Sequence, residues 1–298
     1  MANQLPGGFP CGRISHIYGP ESSAKTVLMA EPLGSALRQG GRAICIDAEC
    51  TFDFVRAGSV YGVDVDKLEY ISPEDANLTI EYLFDNCFQT VEDEAAGEPI
   101  CVGVDSLSAI PSGVEMAETL SEKSYGMSRA KSLSKGFRTH IWKLNQKNIS
   151  LIFVDQTRQN VGVTFGKKYT FSGGEALKFY ASTRIMVNKT GEIKNKNKLV
   201  VGITVGFKVE KNKVAPPGRS GKFRLLFDYG IDDIGTNLQW LKEMSGDSSY
   251  IVDGKKNRSL DDAIKQVESN NLEKVIEAQV YKVWQEVYAV PERKERIR

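Results

Sequence analysis

A chain of 298 residues, 41% hydrophobic and 26% charged, buries a substantial core and has the composition of a globular protein rather than a disordered or fibrous one. Its formal net charge of +1 leaves nucleic-acid binding to local clusters of cations, because the whole-chain balance attracts no polyanion. Five cysteines, an odd number without C-x-x-C or Cys/His spacing, point to neither a disulfide framework nor a zinc site.

In chain order, residues 2–12 are rich in Gly and Pro and read as an extended lead-in without the charged and apolar regions of a signal peptide. With no apolar run of bilayer length either, the expectation is a cytoplasmic protein that does not enter a membrane. An apolar strand, Ile14 to Tyr18, runs into Gly19-Pro20-Glu21-Ser22-Ser23-Ala24-Lys25-Thr26 and then into a helix from Lys25 to Arg38 that contains Pro32. Strand, loop and helix in this order are the setting of a phosphate-binding loop, which needs amides at a helix N-terminus, a lysine for the outer phosphates and a hydroxyl for Mg²⁺. Lys25 and Thr26 supply the last two, and an ordinary strand-to-helix turn is the other reading of these eight residues. Ala24 stands where the G-x-x-x-x-G-K-[ST] pattern has its second glycine, and its Cβ restricts positive φ.

A buried strand follows at Ala43–Asp47, then a helix at 53–61, a short strand at 68–72, a helix at 76–91 and a buried strand at Ile100–Asp105. Alternating strands and helices predict an α/β fold with a parallel sheet, whose ligands sit at the carboxyl ends of the strands, where Gly19, Asp47, Glu49 and Asp105 fall. Residues 112–123 read as a loop and 126–147 as a helix with Lys131, Lys135, Arg138 and Trp142 on one face. After the buried strand Ser150–Asp155 and Gln156 comes Thr157 to Glu175, an unusually long loop with Arg158, Phe165, Lys167, Lys168, Tyr169 and Phe171. Structureless loops this long are usually functional or disordered, and this mixture of rings and cations suits single-stranded nucleic acid. A short helix at 176–182, lysine-rich strands at 183–189, 199–211 and 221–227, and helices at 236–244, 259–270 and 272–287 complete the chain, with a domain boundary placed after Tyr229.

Gly12-Arg13-Ile14, Tyr18 to Ser23 with Lys25-Thr26, Ile46-Asp47-Ala48-Glu49, Val104-Asp105-Ser106, Gly162-Val163 with Phe165-Gly166, Gly173-Gly174, Ala176 to Ser182 and Lys211-Asn212-Lys213 occur in one order. Together they resemble the motifs of the RecA family of DNA recombinases. The resemblance implies a RecA-like P-loop NTPase core with a mostly parallel central sheet over residues 1–229 and a small α-rich domain over 230–298. It also implies binding of ATP and Mg²⁺, a homo-oligomeric filament on single-stranded DNA, and homologous pairing and strand exchange with duplex DNA.

Carried over by residue, the resemblance implies that Gly19 to Thr26 and Asp105 bind ATP, with Mg²⁺ on Thr26 and, through water, on Asp105. Glu49 would be the general base and Gln156 the sensor of the γ-phosphate. Lys211 and Lys213 would enter a neighbouring subunit's site. Tyr125 would end a first DNA-binding loop, and Arg158, Phe165, Lys167, Lys168, Gly173 and Gly174 would belong to a second.

The departures from the family pattern are Ala24, Arg56 where many members have a tyrosine over adenine, Asp155 where an asparagine is usual, a basic C-terminus, and no counterpart ahead of the loop to the arm that docks on the adjacent subunit. The other function these permit is a non-hydrolysing paralogue that binds or regulates recombinase filaments.

Overall fold

The computed structural model describes residues 8–74, 77–94, 97–117, 125–159, 169–170 and 174–289. The chain divides into two compact units, the first Gly8–Gly230 and the second beginning at Ile231.

In the first unit, strand β1 (Arg13–Gly19) leads through the loop to helix α1 (Lys25–Arg38), which runs unbroken through Pro32. Then come β2 (Arg42–Asp47), α2 (Phe54–Ser59) and β3 (Glu69–Ile71). A continuous helical segment follows, α3 (Ile80–Tyr82), a π-helical stretch Leu83–Phe88, and α4 (Gln89–Glu94). Next are β4 (Ile100–Asp105), α5 (Gly113–Ala117), α6 (Tyr125–Gln146) and β5 (Ile149–Gln156). A two-residue pair, β6 (Arg158–Gln159) and β7 (Tyr169–Thr170), precedes α7 (Gly174–Tyr180). Three long strands, β8 (Thr183–Lys194), β9 (Val200–Asn212) and β10 (Ser220–Leu226), lead to β11 (Gly230–Asp232).

The nine-stranded sheet has the order β11-β10-β9-β8-β1-β5-β4-β2-β3. From β8 to β3 every pairing is parallel, and β8–β9 and β9–β10 are antiparallel. Strands β4 and β5 are buried almost throughout, as a parallel sheet covered on both faces requires. Helix α1 packs on β2 and β4. The main core joins β2, β4 and β5 to the π-helical segment and α6 through Phe84, Phe88, Phe137 and Phe153, whose rings meet edge to face at 5.1 to 6.1 Å.

Residues 113–117 are helical where the sequence suggested a loop. Ser112 and Glu115 form a reciprocal capping box, the Ser112 amide donating to Glu115 Oε2 at 2.6 Å and the Glu115 amide to Ser112 Oγ at 3.3 Å.

The second unit holds α8 (Asp233–Ser245), the hairpin β12 (Tyr250–Val252) and β13 (Lys255–Asn257), α9 (Leu260–Ser269) and α10 (Glu273–Val287). Asp253 and Gly254 have φ of 47° and 75°, the two positive angles of a tight hairpin turn. Leu238, Leu241, Val252, Ala263, Val267 and Ile276 form its core. No helix among the described residues is long and apolar enough to cross a membrane.

Candidate nucleotide site

The carboxyl ends of β1, β2, β4 and β5 lie side by side, as the register Gly19↔Gln156 and Asp47↔Asp105 requires. β2, β4 and β5 deliver Asp47, Asp105 and Gln156 to this end of the sheet, and β1 delivers the loop that starts at Gly19. Gly19 is the only residue type that fits where it stands, because a Cβ would meet Val187 O at 2.0 Å. The loop after it curls tightly: Ser22 and Ala24 have φ of 54° and 66°, and Ala24 caps α1 without a side-chain hydrogen bond. The first amides of α1 are therefore left to an external acceptor, with the positive end of the helix dipole behind them.

Lys25 is 7% exposed, and its Nζ donates to Pro20 O at 2.7 Å, as does Ser23 Oγ at 2.7 Å. Burial pulls the Lys25 pKa below its ordinary value against the opposing pull of Asp105, Glu49 and Glu21. An anionic group in the loop would remove that penalty. Thr26 Oγ1 donates to Asp105 Oδ2 at 2.6 Å, and burial pushes the Asp105 carboxyl up to about 6, with Glu49 and Asp47 adding to the shift. The paired hydroxyl and carboxylate are hard oxygen donors that suit Mg²⁺. Among the described residues no group of three or more His, Cys, Asp or Glu side chains is placed to hold a metal ion by itself, so the ion would draw its remaining ligands from phosphate and water.

Asp47 is buried and accepts from the Glu49 amide at 3.2 Å, the Phe52 amide at 2.7 Å and Tyr70 OH at 3.0 Å. It shapes the turn that presents Glu49. Glu49 is half-buried, with Ser106 Oγ donating to Oε1 at 2.5 Å and Gln156 Nε2 to Oε2 at 3.3 Å. Sequence reasoning quoted Ser106 in a motif without giving it a role, and missed Ser108, whose Oγ lies 2.9 Å from that of Ser106. The triplet Asp105-Ser106-Leu107 held a signal for the first of these, a small hydroxyl following the strand-end acid.

The remaining sites lie elsewhere. Lys213 is exposed, whereas Lys211 Nζ donates to Lys178 O at 2.7 Å and Phe179 O at 2.8 Å, capping the last turn of α7. Arg56 Nη2 donates to Phe227 O at 2.7 Å. Tyr125 opens α6, Arg158 lies in β6 and Gly174 opens α7. Phe165, Lys167, Lys168 and Gly173 lie outside the described residues. Lys131, Lys135, Arg138 and Trp142 are exposed together on α6.

Residues 3–232 match the family model described as the RecA N-terminal domain. Protein RecA of Porphyromonas gingivalis is 36% identical over 250 residues, 82% of this chain and 71% of that protein. Protein RecA of Fusobacterium nucleatum is 38% identical over 229 residues, 77% of this chain and 58% of that protein. Protein RecA of Colwellia psychrerythraea is 37% identical over 233 residues, 78% of this chain and 65% of that protein. The crystal structure of the RadB recombinase has the same fold, with a TM-score of 0.53 at 20% identity over 76% of this chain and 92% of that one.

Proposed function

The chain belongs to the RecA family, and from that premise we propose that it is a cytoplasmic DNA-dependent ATPase that assembles on single-stranded DNA and promotes homologous pairing and strand exchange. The observation that carries the proposal is the convergence of Lys25, the Thr26–Asp105 pair and the Glu49–Gln156 pair at one end of the sheet.

In this reading the α1 amides and Lys25 Nζ hold the phosphates of ATP, Lys25 exchanging Pro20 O for a phosphate oxygen. Thr26 Oγ1 and Asp105 would hold Mg²⁺, which when bound neutralises charge on the transferring phosphate. Glu49 orients a water and accepts its proton at a carboxylate oxygen, and Ser106 Oγ and Gln156 Nε2 fix the direction in which that carboxylate points. Because Gln156 also heads the segment leading to Arg158, a change in its partner alters the start of the DNA-binding loop.

The alternative, a non-hydrolysing partner of other recombinase filaments, draws its support from Lys211, which is engaged with its own α7 rather than presented to a neighbour. Joint-molecule formation separates the two. The recombinase joins single-stranded DNA to homologous duplex in the presence of ATP and Mg²⁺ and leaves heterologous duplex unjoined. Binding of DNA without homology-dependent joining would favour the alternative.

A further inference from the structure

Strands β1, β5 and β8 are neighbours in the middle of the sheet, and the register places His16 opposite Arg184 and Tyr18 opposite Asp155. His16 and Asp155 are fully buried and Arg184 is 9% exposed. Ionisable side chains are seldom placed this deep, where apolar residues of similar volume generally serve stability as well or better.

The hydrogen bonds fix the state of the imidazole. Arg184 Nε donates to His16 Nδ1 at 3.3 Å, and a guanidinium has no lone pair to offer, so Nδ1 is the acceptor. The ring proton therefore sits on Nε2 and points at Asp155 Oδ2, 3.1 Å away. Burial acts in the same direction, holding the imidazole pKa low against the pull of Asp155, with the Arg184 and Lys178 cations adding to the effect. Tyr18 stacks on the ring at 5.0 Å and lies under the Arg184 guanidinium, whose Cζ is 4.7 Å from the phenol centroid.

This neutral bridge lies in the middle of a longer series of contacts. On one side, Arg184 Nη1 lies 3.5 Å from Glu210 Oε2, and Glu210 immediately precedes Lys211. On the other, Asp155 Oδ1 accepts from the Ser108 amide at 3.0 Å, Ser108 Oγ meets Ser106 Oγ at 2.9 Å, and Ser106 Oγ donates to Glu49 Oε1 at 2.5 Å. Gln156, next in the chain to Asp155, closes on the other oxygen of Glu49.

We propose that His16 is a positioning residue: fixed between Arg184 and Asp155, it holds the hydrogen-bonded series that orients Glu49 and Gln156 at the nucleotide loop and ties that orientation to the Glu210–Lys211 end of the sheet. The proposal rests on the nucleotide reading of the loop. It assigns His16 no contact with substrate, and it predicts that turnover rather than nucleotide affinity depends on the ring. Glutamine can replace the imidazole, since one amide both accepts from Arg184 and donates to Asp155, whereas phenylalanine fills the volume and does neither.

The test combines kinetics with imidazole nitrogen NMR on the full chain, whose only two histidines are His16 and His140, so that one His140→Gln sample assigns both. His16→Phe should lower kcat for ATP by about ten- to a hundredfold with KM nearly unchanged, and His16→Gln should restore most of the rate. The His16 resonances should show the Nε2–H tautomer and move when a slowly hydrolysed ATP analogue binds with Mg²⁺. Ser108→Ala, at a half-buried position one link along, should lower kcat in the same way and weaken the response of His16. It carries the kinetic test if His16→Phe does not fold. A wild-type rate in His16→Phe or in Ser108→Ala, or unmoved His16 resonances with the analogue demonstrably bound, would overturn the proposal. Absence of analogue binding to the unmodified chain would instead overturn the nucleotide reading itself, and the relay with it.

Discussion

Ala24 holds φ of 66° and ψ of 25° where the loop becomes α1, a left-handed conformation that costs a residue with a Cβ roughly 1–2 kcal/mol. Glycine removes that cost and gives back part of it through the greater freedom of the unfolded chain. Ala24→Gly should therefore stabilise the protein by about 0.5–1 kcal/mol in urea denaturation, and a loss of stability would show that the methyl packs favourably. At the same scale, Lys25→Ala should abolish binding of a fluorescent ATP analogue. Glu49→Gln should retain that binding and lose about 10²- to 10⁴-fold in turnover; undiminished turnover would remove Glu49 from the chemistry.

Lys25, Thr26 and Asp105 were legible in the sequence because a local motif and a strand end mark them. His16 and Arg184 were not, since each acquires its meaning from a partner far along the chain, 139 residues away for His16–Asp155 and 168 for His16–Arg184. No periodicity signals such a pair, and a histidine within an apolar strand looks like any buried side chain.

Among the elements, α6 shows how closely the helical layer fits. Gly136 lies on its buried side, and a Cβ there would meet Phe84 Cδ2 at 2.3 Å, against the π-helical segment and the cluster of phenylalanines. The ring has little room to withdraw, so Gly136→Ala should cost about 1–3 kcal/mol by overpacking, after allowance for the better helix propensity of alanine. Equal or greater stability in thermal denaturation would mean that Phe84 repacks freely. Hydrophobic runs bounded by Gly and Pro gave β1 to β5 and α1 to within a residue or so, because buried parallel strands have that pattern, whereas β8 runs on to Lys194 beyond the expected end at residue 189 and β11 was not foreseen. The π-helical stretch left no such trace, since its wider turn depends on tertiary packing. The capping box before α5 was present as Ser112-x-x-Glu115, but the small and acidic residues around it lack an apolar stripe, and apolar periodicity alone places no helix there.

For the whole molecule, two expectations concern partners. If the segment between β6 and α7 follows a DNA backbone, replacing Arg158, Lys167 and Lys168 by alanine should flatten the dependence of single-strand affinity on salt by about 0.7 per lost phosphate contact. An unchanged slope would place the DNA elsewhere, with the exposed Lys131, Lys135 and Arg138 face of α6 the next surface to test.

The second expectation concerns assembly. Lys213 is exposed, and a part for it in a neighbour's site would require subunits stacked head to tail, the heterologous contact that builds an open filament. Lys211 must first leave the carbonyls of Lys178 and Phe179. The measurement that tests the central claim most directly is ATP hydrolysis by the purified chain, with and without single-stranded DNA, as protein concentration is raised. The shared-site recombinase hydrolyses ATP only with DNA and Mg²⁺, its specific activity climbs with concentration before it saturates, and Lys213→Ala loses about 10³-fold or more while still binding nucleotide. Hydrolysis indifferent to DNA, or constant in specific activity for a protein that stays monomeric on DNA, would contradict it.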